Sequence, residues 1–459
     1  MAGHHAPGAP PRGASADLTR NRGTLCGAWL LAASCAAAVA AGCGTVPASS
    51  CAAPTGEPVT LSDADRREPA IAGDGGGGAV VAWESLTGGP IEATIRHDGT
   101  WSTPADLSAP SARDPSVAMT PGGHGFVAWQ APTGDGRDVI LVAERELDGS
   151  WSEPVPVSRP DARSRRPQVA TDARGRAIVA WVRDTTGQNA VVEVAERAGS
   201  RRWGTPQELS DADLRARRPR LAVAPDGQAA LVWEERVGDR GSVAAATRRP
   251  DGTWTPATRL SGSMESAREP DVAIGPRGDA TAVWIGEDTG GVGAFAAESV
   301  AGGPWSPAIR LGTGDDTPRE LSRPERAETG ADVAVLPNRE ALAVWSVFDD
   351  GTNRVRLATR SADGSWRTPI DLSAARNESG GAQVAALAGG GGIVAWEEVD
   401  GGLLRVRTVR VGAGDVARPC ADLAAGRAEY AAIRLTGGSA PTAVMINLNR
   451  GRVQAVSAP

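Results

Sequence analysis

Arg113-Asp114-Pro115-Ser116-Val117-Ala118-Met119, then Thr120-Pro121-Gly122-Gly123-His124, then Gly125-Phe126-Val127-Ala128-Trp129-Gln130 is the stretch on which the fold turns. Two apolar runs flank a Pro-Gly-Gly turn. The second run is apolar at successive positions instead of alternating, as in a strand covered on both faces. The same arrangement returns along the chain, with tryptophan at Trp83, Trp129, Trp181, Trp233, Trp284, Trp345 and Trp396. The interval is about fifty residues, with one longer gap before Trp345. In all seven copies an alanine stands eleven residues ahead of the tryptophan, from Ala72 and Trp83 to Ala385 and Trp396. Such constant register marks one supersecondary unit repeated.

Working outward, a second tryptophan follows a turn signal in Asp98-Gly99-Thr100-Trp101, Asp148-Gly149-Ser150-Trp151, Asp251-Gly252-Thr253-Trp254 and Asp363-Gly364-Ser365-Trp366. Trp203 and Trp305 hold the same place. Asp-Gly supplies the positive φ of a tight hairpin. Each unit therefore reads as four strands: A at Pro115–Met119, B at Gly125–Gln130, C at Asp138–Glu146 and D at Trp151–Val157. Glu57–Leu61 reads as a strand D with nothing before it. Tyr430–Leu435, Ala443–Asn447 and Arg452–Val456 read as A, B and C with no D after them, with Met445 in the tryptophan place. The fold expected is all-β: a single β-propeller of about eight four-stranded blades, closed by strand exchange between the chain ends. Seven blades with an irregular tail is the alternative.

Composition narrows the class. Among aromatic residues there are 14 Trp against 3 Phe and 1 Tyr, which suits a residue used once or twice per repeat. All 48 basic side chains are arginine, and the net charge is −7. Interspersed charges of this balance argue against a nucleic-acid partner, which needs a basic stripe. Leu25 to Ala41 is a short apolar stretch behind Arg20 and Arg22, too short for a stable span, and reads as a signal peptide. It ends Val39-Ala40-Ala41-Gly42-Cys43, which resembles a bacterial lipobox, so lipidation of Cys43 is expected, with a secreted form as the alternative. Residues 1–43 are then an extension and signal, 44–57 a linker and 58–459 the propeller. Cys51 and Cys420 remain after export, an even pair in an oxidising compartment, and are expected to form a disulfide across the ring closure.

The Asp-Gly-x-Trp turns, with Arg67-Glu68-Pro69, Arg113-Asp114-Pro115 and Arg268-Glu269-Pro270, resemble the sialidase-like, Asp-box propeller superfamily. That family has Ser-x-Asp-x-Gly-x-x-Trp between strands C and D and an Arg-Ile-Pro motif. Here the box is compressed and mostly lacks the serine. The resemblance covers residues 58 to 457 and implies architecture. Asp-box repeats occur in enzymes, lectin-like modules and proteins without catalysis.

Candidate sites follow from the repeats. Arg67, Arg113, Arg166, Arg218, Arg268 and Arg376, with Arg427, precede strand A, at what the resemblance makes the channel mouth. A ring of guanidinium groups there would grip carboxylates or sulfates in two-pronged fashion. The competing reading pairs each with a neighbouring acid such as Glu68, Asp114 or Glu269. A sialidase would need a tyrosine nucleophile, and the chain's single tyrosine, Tyr430, opens a strand A. Glu84, Glu234, Glu397 and Gln130 follow strand-B tryptophans. The one break in period, Gly312 to Gly330, carries Asp315, Asp316, Arg319, Glu320, Arg323, Glu325 and Arg326 and is expected to be a surface loop. No metal-ligand spacing or cofactor motif is present, so neither a metal nor a cofactor is expected. The function expected is a binding or scaffold module for an anionic glycan or a cell-envelope protein, membrane-attached through its lipid and monomeric; a sialidase-like exo-glycosidase is the alternative.

Overall fold

The computed structural model describes residues 57–458 apart from 64, 147–148, 186, 198–201, 239, 313–329, 350, 375, 413–420 and 424–428. Cys43, Cys51, Cys420, Arg427 and nearly all of the Gly312–Gly330 insertion lie outside the described residues.

Every regular element among these residues is a strand, and the strands run as antiparallel meanders. In one of them Arg113–Met119, Gly125–Pro132, Asp138–Arg145 and Val155–Pro156 pair in chain order. The turn after Met119 closes through the Thr120 N–H to the His124 carbonyl at 2.9 Å, with Gly123 at φ 85°. Gly125 to Gln130 are all buried, as the unbroken apolar run requires. The fourth strand is shorter than the sequence suggests. Trp151 makes an isolated bridge to Arg145, and regular pairing resumes at Val155. Pro154 lies between them and has no N–H to give a ladder.

Meanders meet face to face through apolar side chains. Val80 and Ala82 of one cluster with Val127 and Trp129 of the next, and Phe126 and Ala128 with Val179 and Trp181. All seven repeat tryptophans are at most 1% exposed. Truncating any one to alanine would cost about 3–5 kcal/mol through the cavity left behind.

The first strands pack side by side in chain order, and Tyr430–Leu435 of the last meander packs against Arg66–Gly73 of the first. Val59–Thr60 adds to the last meander, pairing antiparallel with Arg452–Ser457 in the register Val59 to Ala455. The Val453 N–H donates to Ser62 Oγ at 2.8 Å and the Arg66 N–H to the Gly451 carbonyl at 2.9 Å, so the two chain ends are stitched beyond that strand pair.

Candidate functional site

The first strand of most meanders carries a register shift near its start, between Arg67 and Ala70, Arg113 and Ser116, Arg165 and Gln168, Arg217 and Arg220, and Arg268 and Asp271. One residue in each bulge is left-handed: Glu68, Asp114, Arg166, Arg218 and Glu269 have φ of 49° to 54°. A non-glycine residue held there costs about 1 kcal/mol, and such strain gathers at functional surfaces. The proline that follows fixes the next φ and gives up an N–H that the bulge leaves unused.

Behind the bulges lies a cavity of about 390 Å³ where the first strands converge. The left-handed residues Glu68, Asp114, Arg166, Arg218 and Glu269 line it, and so does Gly330, which stands at the same distance ahead of the second tier without a side chain. Two residues further along each first strand, Ala70, Ser116, Gln168, Arg220, Asp271, Asp332, Gln383 and Arg434 make a second tier of the lining. The lining is therefore dominated by carboxylates, guanidinium groups and amides. No aromatic ring among the described residues contributes to it.

These side chains also tie neighbouring meanders together. Ser116 Oγ accepts from the Val169 N–H at 3.0 Å, Asp271 Oδ2 from Val333 N–H at 3.3 Å, and Asp332 Oδ2 from Val384 N–H at 2.8 Å. The Asp271 and Asp332 carboxyls interact with one another. Burial and then the Asp271 charge hold the Asp332 carboxyl well above the usual carboxylate range. Burial raises Asp271 too, against the pull of Asp332 and of Arg220, whose Nε is 3.9 Å away.

The glutamates after the tryptophans act between meanders. Glu84 Oε2 accepts from the left-handed Asp114 N–H at 2.8 Å, Glu234 Oε1 from Glu269 at 2.6 Å, and Glu397 Oε1 from Ala432 at 2.8 Å. All three are buried, at 3%, 6% and 4% exposed. They satisfy the N–H that each bulge turns inward. Burial pushes Glu397 up to about 7 and raises Glu84.

The arginines before the first strands fall into two register positions. Arg166 and Arg218 occupy the left-handed position and line the cavity. Arg67, Arg113 and Arg268 sit one residue earlier, outside the lining. Arg67 pairs with Glu84, and Arg113 with Asp138 at 3.0 Å. Arg376 is exposed in the turn before Ser379–Ala386, whose bulge residue is Gly381. Arg218 is 3.3 Å from Glu234 and 3.4 Å from Glu269. Tyr430 is 5% exposed, packed with Val406, Leu423, Ile433 and Met445, and does not line the cavity. Arg220, Asp271, Asp332 and Arg434 were not singled out from the sequence. The available signal was their place, directly after the proline or its counterpart in each bulge.

Comparison with family models and with curated proteins gives no match. Among solved structures, the chain is similar to the BP39L lectin from Burkholderia pseudomallei, at 15% identity and TM-score 0.50, over 80% of this chain and 100% of that one. It is also similar to an ulvan lyase of polysaccharide lyase family PL25, at 10% identity and TM-score 0.49, over 78% and 96%. A Hadza microbial sialidase, Hz136, follows at 14% identity and TM-score 0.36, over 70% and 74%. Of these the lectin alone reaches 0.5, and at such identity the likeness concerns the fold. That fold is an all-β architecture of repeated antiparallel sheets, of the β-propeller kind.

Proposed function

We propose that the chain is an exported eight-bladed propeller, closed by strand exchange, that binds a glycan in the cavity between its first strands. The observation that carries this reading is the two-tiered polar lining, with strained residues aimed into about 390 Å³ of space. A cavity of this size is within the range of small-ligand sites. Its amides, carboxyls and guanidinium groups match the donors and acceptors of a hydroxylated ligand. The lectin likeness is consistent with a binding module. Val59–Thr60 on the last meander supports closure, and the lipobox-like Cys43 supports attachment to the membrane.

The sialidase-like alternative is less well supported, because Tyr430 packs among apolar side chains away from the cavity. The test is a glycan array run beside a panel of fluorogenic glycosides. Retention on the array without turnover is expected. Turnover abolished by Tyr430→Phe would overturn the binding-module reading in favour of the enzyme. Labelling with a fatty-acid analogue, lost in Cys43→Ser, would report the anchor; equal labelling in that variant would reject it.

A further inference from the structure

Two neighbouring units repeat an unusual sequence, Arg163-Ser164-Arg165-Arg166-Pro167 and Arg215-Ala216-Arg217-Arg218-Pro219. Their first strands, Ser164–Thr171 and Arg215–Val223, pack against each other, and Arg236 stands directly opposite Arg215 across the strand pair. Like charges opposed in this way destabilise a sheet. Seven guanidinium groups thus gather on a chain whose net charge is −7. Carboxylates answer some of them: Arg163 with Asp138 at 2.9 Å, Arg165 with Asp184, Arg217 with Glu234 at 3.6 Å, and Arg218 as above. Arg166, Arg215 and Arg236 are exposed and have no ion pair within 4.0 Å among the described residues. Burial, with repulsion from this same group, lowers the proton affinity of Arg165 and Arg217. The stitches between meanders use none of the three unanswered arginines. A local arrangement that opposes stability without a structural return marks a functional surface.

We propose that this arginine surface binds an acidic polysaccharide, one bearing carboxylate or sulfate groups, that crosses Arg215 and Arg236 and reaches the cavity lip at Arg166. The proposal rests on the reading of the cavity as a glycan site and names the class of glycan. Arg166 and Arg218 line the cavity, so patch and mouth are continuous. Guanidinium groups take carboxylate and sulfate oxygens in pairs. A single-stranded nucleic acid would call for stacking platforms, and among the described residues no aromatic side chain lines the cavity.

The test is calorimetric titration of the whole mature chain with oligogalacturonate, a heparin oligosaccharide, neutral dextran and single-stranded DNA. The acidic oligosaccharides are expected to bind, more weakly as salt is raised. The double variant Arg215→Gln, Arg236→Gln should weaken them by roughly tenfold or more, with the melting temperature unchanged or higher. Arg249→Gln, in the hairpin turn after Arg240–Arg248, should change binding less than twofold. Equal affinity in the double variant, or DNA bound more tightly than both acidic sugars, would overturn the proposal. Dextran or arrayed neutral glycans bound with no preference for acidic ones would also overturn it while leaving the glycan reading intact. Failure of every glycan on the array would sink that reading itself.

Discussion

At the scale of single residues, the molecule is governed by the left-handed position at the start of most first strands. Turning a non-glycine residue there aims one side chain at the cavity and one N–H into the neighbouring meander. Glu84, Glu234 and Glu397 exist to receive that N–H. Their burial makes them titrate abnormally, and the consequence has a definite sign. Glu397 has its folded pKa raised from 4.5 to about 7, so the folded state holds the proton more strongly than the unfolded chain does. Its contribution is greatest below about pH 4.5 and declines as pH rises to about 7. Glu397→Gln keeps an oxygen for the Ala432 N–H and cannot ionise. The stability of the variant relative to the natural chain should therefore rise by about 2–3 kcal/mol between pH 5 and pH 8. Urea denaturation at the two pH values reads this difference, and a constant difference would mean that Glu397 is not the titrating group.

At the scale of the elements, two devices recur at the seams between meanders. Where the tryptophan is followed by glutamate, as at Trp83, Trp233 and Trp396, that glutamate caps the next bulge. Ile285 and Ser346 follow Trp284 and Trp345, and at those seams Asp271 and Asp332 reach across from the cavity tier instead. Glu234→Ala should cost about 2–4 kcal/mol, because it orphans a buried N–H and removes the acid facing Arg217 and Arg218. Its urea midpoint should fall with the slope unchanged; an unaltered midpoint would refute the capping role. Much of this level was legible in the sequence. Period, tryptophan register and Asp-Gly turns located the meanders, and Tyr430–Leu435 is a strand at the place the repeat gave to a strand A. The bulge was not legible. Arg-x-Pro and Arg-Pro look like variants of one motif, yet the first puts its arginine on the last paired residue before the bulge and the second puts it inside the bulge, and that one-residue difference decides which guanidinium lines the cavity. The glutamate caps were equally hidden, since their partners lie 30 to 35 residues away in the next meander.

At the scale of the whole molecule, the first strands gather around a shared polar cavity, and the strand Val59–Thr60 links the beginning of the chain to its end. The cavity could not be read ahead of the fold. Its second tier takes one residue from each first strand, of types that vary around the repeat, Ala70 and Ser116 beside Asp271 and Arg434. In the proposed function this cavity is where the protein meets its ligand. Ala70 leaves a gap in the second tier that a large side chain would fill. The most direct test is therefore the glycan array repeated with Ala70→Trp, after circular dichroism has shown the fold retained. The account predicts that the natural chain is retained on glycans and the variant is not. Retention of the variant at the same strength on the same glycans would contradict it.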